Sequence, residues 1–295
     1  MPELPEVETI RKDLFRKILN KKIKDVAIKK PRLVKSGAIK FKKELIGNVF
    51  KKINRRGKLL YIKLQTGKFL LIHLKMTGQL IYQKGRQVIA GGHGQPKIDE
   101  LPNKFSHIIF TFNDNSQLFF NDMRQFGYMK IIDKDELEKV LADYGAEPLD
   151  KEFTLVRFRE ILHGKKISIK QLLLNQKFIA GIGNIYADEI CFYAKVKPSR
   201  AIFSLSESEI KKLYQGCKKI IKQAIAKRGT TFNNYRDANG NKGSFIKFLK
   251  VYGRAGEVCK RCQPKAGAPR AHKTGVIKKI KQGGRGTHYC NKCQE

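Results

Sequence analysis

Three groups of residues in this chain have types and spacings that suit chemistry. The first is the opening, Met1-Pro2-Glu3-Leu4-Pro5-Glu6. Pro2 is small enough for the initiator Met to be removed, which leaves a secondary amine at the terminus. An α-amino group has a pKa of about 8, so a useful fraction is neutral at pH 7. Such an amine attacking a sugar C1′ forms a cationic iminium, an electron sink for later elimination. Glu3 beside it offers a carboxyl for proton transfer. On composition alone the same residues also read as an ordinary unstructured start. The second group is Cys259-x-x-Cys262 with Cys290-x-x-Cys293. Two such thiolate pairs close a tetrahedral zinc site and leave no open position, which makes the metal structural. The gap between the pairs is long, so Pro264 to Lys281 reads as an enlarged basic loop; the alternative is four unconnected cysteines. The third group is Gln171 to Glu189, where a helix-like run stops at Gly181-Ile182-Gly183 and a second helix starts beyond Asn184. That arrangement turns backbone N–H groups and a helix N-terminus toward a phosphate. A plain helix–turn–helix connector would carry the same glycines.

The elements that must position these groups change character along the chain. The first half reads as mostly β. Lys58 to Leu64 and Phe69 to Leu74 form one expected hairpin, and His107 to Phe112 with Gln117 to Asn121 a second. Glu6 to Leu19 reads as a helix with Val7, Ile10, Leu14 and Ile18 inward. Lys84 to Asn103 is polar with Gly and Pro and reads as a loop. From about Asp133 to Arg228 the pattern is helical. Ser206 and Glu209 have capping-box spacing, an apolar stripe runs from Ile210 to Ile225, and Gly229 is placed to stop that helix. Asn233 to Ser244 reads as a mobile loop. Cys191 and Cys217 lie on helical stripes and read as core.

Composition narrows the partner. The 295 residues carry 62 Lys plus Arg against 26 Asp plus Glu, a formal net charge of +36. A charge of that size repels itself in a compact state unless an anion offsets it, and nucleic acid is the leading candidate. Part of the excess can also reflect an AT-rich genome. No secretory signal and no apolar run long enough to span a membrane is present, so a cytoplasmic protein with no membrane partner is expected. Six cysteines there argue for thiols or metal ligands over disulfides.

Taken together, the opening hexapeptide, Arg56-Gly57-Lys58, His73-Leu74-Lys75-Met76-Thr77-Gly78, Asp122-Met123-Arg124-Gln125-Phe126-Gly127, Gly181-Ile182-Gly183-Asn184, Tyr252-Gly253-Arg254 and Gly284-Arg285-Gly286-Thr287 before Cys290 resemble the formamidopyrimidine-DNA glycosylases. The matches run in order from Met1 to Gln294. The resemblance implies a two-domain α+β fold, an N-terminal β-sandwich flanked by helices followed by a helical (helix-two-turn-helix) domain with a zinc β-hairpin, and DNA in a basic cleft between them. The bounds expected are 1–133 for the catalytic sandwich, 134–150 for a linker, 151–244 for the helical domain and 245–295 for the zinc hairpin.

The same resemblance implies roles. Pro2 is the Schiff-base nucleophile, Glu3 the general acid/base, Lys58 an assisting group, and Arg285 serves the later elimination. Met76, Arg124 and Phe126 fill the gap left by an everted base. His73, Lys165, Lys170, Asn184 and Arg254 lie around the phosphates, and the Thr230 to Ser244 loop closes over the base. Cys259, Cys262, Cys290 and Cys293 hold one structural Zn2+. The partner is double-stranded DNA carrying oxidised bases or abasic sites, engaged by a monomer that excises oxidised purines and then cuts by β,δ-elimination. The chain departs from the family at Lys75, where Gly is usual, at Gln125, Phe105 and Asn175, and in the basic insert. Three other readings remain: an endonuclease VIII-like enzyme for oxidised pyrimidines, disfavoured by Leu4 and the wedge residues; a non-catalytic damaged-DNA-binding zinc protein; and a basic structural protein.

Overall fold

The structure is a computed structural model that describes residues 1–92, 100–230, 245–263 and 274–295. Its strands in chain order are β1 (Ile23–Ile28), β2 (Phe50–Arg56), β3 (Leu59–Leu64), β4 (Phe69–His73), β5 (Gly78–Lys84), β6 (Gln87–Gly92), β7 (Ser106–Phe112), β8 (Gln117–Asp122), β9 (Tyr128–Ile132), β10 (Ile277–Gln282) and β11 (Arg285–Cys290). Its helices are α1 (Leu4–Ile18), α2 (Ala38–Leu45), α3 (Lys134–Ala142), α4 (Leu155–Leu162), α5 (Ile169–Leu174), α6 (Asn184–Ala194) and α7 (Glu207–Ala226).

Contacts group the chain into two units, Met1–Asp143 with Ala224–Ile246, and Tyr144–Gln223 with Lys247–Glu295. The first holds two antiparallel sheets, a five-stranded one ordered β1-β7-β8-β5-β6 and a four-stranded one ordered β2-β3-β4-β9. Along β3, Leu60, Ile62 and Leu64 join the main core, while Tyr61 and Lys63 do not. That period of two turns one face of each strand inward. Phe110, Phe112, Leu118 and Phe120 supply the five-stranded sheet's side of the same core, and Val7, Ile10, Leu14 and Ile18 bring in α1. Fully burying one such side chain is worth about 1.5–3 kcal/mol.

The Lys84 to Asn103 stretch is not all loop: β6 pairs with β5 through the two-residue turn Gly85-Arg86. Gly85 sits at φ +56°, as a tight hairpin requires of its first turn residue. Val88 and Ala90 face a second apolar cluster while Ile89 faces the main core, so both faces of this short strand are covered and the polar-out pattern is missing.

In the second unit, α5 begins with a reciprocal capping box between Ser168 and Gln171, and α6 is buried nearly all round. At α7 the expected box is formed: Ser206 N–H donates to Glu209 Oε2 at 2.8 Å and Glu209 N–H to Ser206 Oγ at 3.3 Å. β10 and β11 form the C-terminal hairpin through Gly283-Gly284, at φ +53° and +75°. The α+β architecture, a β-sandwich unit with helices and a helical unit with a terminal hairpin, is the one the sequence implies. No described helix is long and apolar enough to cross a membrane.

Candidate active site

The chain terminus is the head of α1. Glu3 is its N-cap, with a capping box in which Glu6 Oε2 accepts from Glu3 N–H at 2.9 Å. Pro2 and Glu3 are both buried, Glu3 to 2 % exposure, whereas Met1 stands 40 % exposed. In this chain the free amine belongs to Met1, and Pro2 nitrogen becomes the terminal amine once Met1 is removed. Burial holds the terminal amine below its ordinary pKa; Glu3 and Glu6 oppose the shift, and the positive charges of Lys58 and Arg124 add to it. The terminus therefore lies within electrostatic reach of Glu3, Lys58 and Arg124. A depressed amine is neutral, and so nucleophilic, at lower pH.

Lys58 is only 5 % exposed and occupies the two-residue turn between β2 and β3. Arg55 steadies that turn by donating Nη1–H to the Gly57 carbonyl at 3.1 Å. Arg55 Nε–H in turn donates to Glu8 Oε2 of α1 at 3.1 Å. Glu8 stays ionised below the usual carboxylate range: burial works against this, and bonds from Arg11 and Arg55 overcome it. The chain Glu8–Arg55–Gly57 thus fixes the Lys58 turn to the helix that begins at the terminus.

Met76, Arg124 and Phe126 are exposed together, Phe126 to 53 %, with the Arg124 guanidinium 4.7 Å above the Phe126 ring. Asp122, wholly buried, ties their two loops. Its carboxylate accepts from Thr77 Oγ1–H, from Arg124 N–H at 3.2 Å and from Gly127 N–H at 2.7 Å. Arg124 N–H also donates to Thr77 Oγ1 at 3.0 Å. Gly127 is needed here, because a Cβ would lie 2.7 Å from Phe120 and 3.0 Å from Asp122. Lys75 takes φ +49°, a left-handed conformation that glycine adopts without cost, and its ammonium lies 5.7 Å over the Tyr128 ring. His73 Nδ1 accepts Lys75 N–H at 3.0 Å. Burial foremost, then the Lys75 and Lys58 charges, push the His73 pKa down to about 3. The ring is therefore neutral and carries its proton on Nε2, a donor suited to a phosphate oxygen. Of the other departures, Gln125 (φ +56°) receives a bond from Arg32, Lys104 lies 5.3 Å over the Phe105 ring, and Asn175 caps α5 and accepts Lys177 N–H at 3.0 Å.

In the second unit the phosphate-facing expectation for Lys170 is corrected. Its ammonium is 1 % exposed and donates to Asp188 Oδ1 at 2.6 Å, Thr287 Oγ1 at 2.8 Å and the Gly286 carbonyl at 3.3 Å. Asp188 also accepts His288 N–H at 2.8 Å. A buried ammonium with three acceptors is a structural tie for the Arg285 hairpin, since breaking such a pair strands a buried charge. Asn184 joins this tie, Nδ2–H to the Gly286 carbonyl at 3.0 Å, while its buried Oδ1 makes no hydrogen bond. Gly181 N–H is directed to Gln176 Oε1 at 2.8 Å, so the glycine turn spends that donor internally. Arg285 itself is exposed at the start of β11. Lys165 is half-buried with its ammonium 5.0 Å over Phe178. Arg254 is engaged by its own segment, bonding Glu257 at 2.8 Å and the Lys250 carbonyl at 2.7 Å. The Thr230 to Ser244 loop lies outside the described residues after Thr230, and so does most of the basic insert, although its end forms strand β10.

The Sγ atoms of Cys259, Cys262, Cys290 and Cys293 all lie within 4.8 Å of one another. Cys259–Cys293 are 3.9 Å apart and Cys262–Cys290 3.7 Å. Four thiolates about 2.3 Å from one tetrahedral zinc would be about 3.8 Å apart. Disulfide sulfurs would sit about 2 Å apart. The set fits one structural zinc. Gly275 makes room for it, because a Cβ there would fall 2.6 Å from Cys290 Sγ.

Sequence reasoning did not single out Glu8, Arg55, Asp122 or Asp188 as site-building residues. Each acts through a partner far along the chain, so local spacing carries no signal of it. Glu189 is a further case: 2 % exposed, it accepts the N–H groups of Lys250, Val251 and Tyr252 at 2.9 to 3.0 Å and so holds the segment leading to Arg254.

Comparison with known proteins agrees with this geometry. Residues 1–129 match the formamidopyrimidine-DNA glycosylase N-terminal domain, 144–235 its H2TH domain, and 275–295 a zinc finger found in FPG and IleRS. The chain is 38 % identical to a formamidopyrimidine-DNA glycosylase of Pelotomaculum thermopropionicum, covering 100 % of this chain and 99 % of that one. It superposes with a TM-score of 0.86 and 34 % identity on Lactococcus lactis Fpg bound to DNA containing an abasic site, covering 99 % of each chain. MutM in complex with DNA containing carbocyclic 8-oxo-G gives a TM-score of 0.85 at 34 % identity over 100 % of both chains. The chain belongs to the formamidopyrimidine-DNA glycosylase family.

Proposed function

We propose that this enzyme removes oxidised purines, 8-oxoguanine and formamidopyrimidines, from duplex DNA and then cuts the strand, with Pro2 as nucleophile. The observation that carries this reading is the chain terminus: Pro2 and Glu3 are buried at the head of α1, and the terminal amine lies within electrostatic reach of Glu3, Lys58 and Arg124. After Met1 is removed, the Pro2 nitrogen adds to C1′ of the damaged nucleotide. The bond from C1′ to the base breaks, and the base leaves with a proton. Opening of the sugar by cleavage of C1′–O4′ gives the iminium, with O4′ protonated by Glu3. Loss of a C2′ proton expels the 3′ phosphate, loss of a C4′ proton expels the 5′ phosphate, and water releases the sugar fragment and frees Pro2. Arg285 assists these eliminations. Met76, Arg124 and Phe126 occupy the space of the everted nucleotide, Arg124 offering its donor fork to the orphaned base. Zinc on the four cysteines holds the hairpin that presents Arg285 and performs no chemistry of its own. The substrate being chromosomal DNA, the enzyme works in the cytoplasm, at the nucleoid.

The test is borohydride trapping on a duplex with 8-oxoguanine opposite cytosine, beside one with thymine glycol. A covalent adduct on the Pro2 peptide, formed faster on the oxidised purine, is expected. Trapping confined to thymine glycol would assign the endonuclease VIII-like activity. Binding without any adduct, with Met1 shown to be removed, would leave a scaffold that only binds.

A further inference from the structure

A cavity of about 320 Å3 opens in the second unit beside the four-cysteine site, whose Cys293 Sγ accepts a bond from Arg261 of the cavity lining at 3.7 Å, and it contains none of the residues used above for catalysis. Its apolar wall is Phe192, Tyr193 and Ile220, from the second halves of α6 and α7. Its rim carries four cations, Lys219, Lys250, Lys260 and Arg261. Two of these already lie on the wall: the Arg261 guanidinium is 3.8 Å over the Phe192 ring, and the Lys219 ammonium 5.3 Å over Tyr193. Glu189, the one carboxylate in the lining, is buried and accepts three backbone N–H groups, so four rim cations stand against a single acid. Tyr193 lies nine residues along α6 from Asn184, about 13 Å at 1.5 Å per residue, which sets the cavity away from the Arg285 hairpin contact.

We propose that this cavity docks an acidic peptide segment of a partner protein, seated by one aromatic side chain. The size suits an aromatic anchor, and the Phe192 and Tyr193 rings give it a face to pack on. The cations come from three separate stretches of chain, α7, the segment at Lys250 and the zinc loop, and four of them call for several negative charges. A run of carboxylates can, and such charge complementarity fixes register and speeds encounter. Docked there, a partner would travel with the enzyme while the DNA-contacting residues stay free.

The probe is a fluorescein-labelled peptide of four aspartates followed by a terminal phenylalanine, titrated by fluorescence anisotropy. The protein is first saturated with abasic-analogue duplex, so that nonspecific attraction to its DNA-contacting surface is blocked. Saturable binding is expected, weakened at least tenfold when the peptide's phenylalanine becomes alanine, and again by Lys219→Glu or Ile220→Asp with the melting temperature unchanged. Binding that ignores the phenylalanine and both variants, or that the duplex abolishes, would overturn the proposal. Binding of dGMP with the same dependence on Lys219, and none of the peptide, would overturn it in favour of a small anion. The readout is association alone, so it does not depend on glycosylase activity.

Discussion

Thr230 donates its backbone N–H to Glu6 Oε1 at 2.7 Å, across 224 residues of sequence. The Thr230 hydroxyl reaches the same oxygen at 3.1 Å, and the other carboxylate oxygen caps Glu3. One side chain therefore joins the head of α1 to the residue from which the expected base-covering loop departs. Gly229 makes the approach possible, with φ +80° and a hypothetical Cβ only 2.5 Å from Glu6 Oε1. Glu6→Gln turns an amide N–H₂ toward donors, a mismatch worth about 1–3 kcal/mol. Gly229→Ala adds backbone strain and the clash. Both variants should melt several degrees lower and trap abasic DNA more slowly, and a Gly229→Ala protein that melts and traps as the parent does would refute the coupling.

The pH profile of single-turnover trapping should follow the terminal amine. Burial lowers the pKa of the Met1 amine, and the Pro2 amine exposed by its removal enters the same buried surroundings near Lys58 and Arg124, so its neutral form is expected at lower pH than for an ordinary terminus. The rate should rise with pH and level off with a midpoint below about 8, the usual value. A midpoint at or above that value would place the amine in solvent.

His73 gives an opposite handle at acid pH. An ordinary imidazole titrates near 6.5, whereas this one stays neutral to about 3. The unfolded chain therefore binds a proton that the folded chain refuses, and the stability His73 contributes is whole above 6.5 and lost as pH falls from there toward 3. An NMR titration should show no imidazole shift for His73 between pH 5 and 8, and a midpoint near 6.5 would contradict this burial.

Lys170→Met should destabilise the second unit by about 3–5 kcal/mol, because it leaves Asp188 buried without its cation. Pairing it with Asp188→Asn should recover part of that loss. Denaturant melts of the four proteins measure the coupling, and additive effects would show that the pair is not a unit.

Metal analysis should find one zinc per chain, and chelation should abolish trapping while leaving the first unit folded. Cys262→Ala should have the same effect. Retained DNA affinity in either case would detach the hairpin from binding.

The legible parts of the molecule were the local ones. The α7 capping box, the inward stripe of α1 and the paired cysteines each announce themselves within a few residues, and the structure forms all three. Strand β6 was missed because Val88, Ile89 and Ala90 are covered on both sides and show no alternation. Lys170 looked like a phosphate ligand because sequence cannot reveal that Asp188 and Thr287 surround it. Buried Glu189 is likewise silent in sequence, since its partners are backbone N–H groups of the segment from Lys250 to Tyr252, and Asp122 is silent because the hydroxyl it ties belongs to Thr77 on another loop. Lys75 departs from the family's usual Gly and takes a left-handed backbone that a glycine would adopt more easily.

The first unit is built from two stretches, Met1–Asp143 and Ala224–Ile246, with residues 144–223 of the second unit between them. During synthesis the ribosome must therefore deliver some eighty residues of foreign scaffold before the amino-terminal unit receives its last piece. Until then Glu6 has no Thr230 to hold. A nascent chain paused anywhere in that interval carries a first unit whose Glu6 still lacks this partner, and truncation before residue 230 cannot leave a finished amino-terminal unit behind.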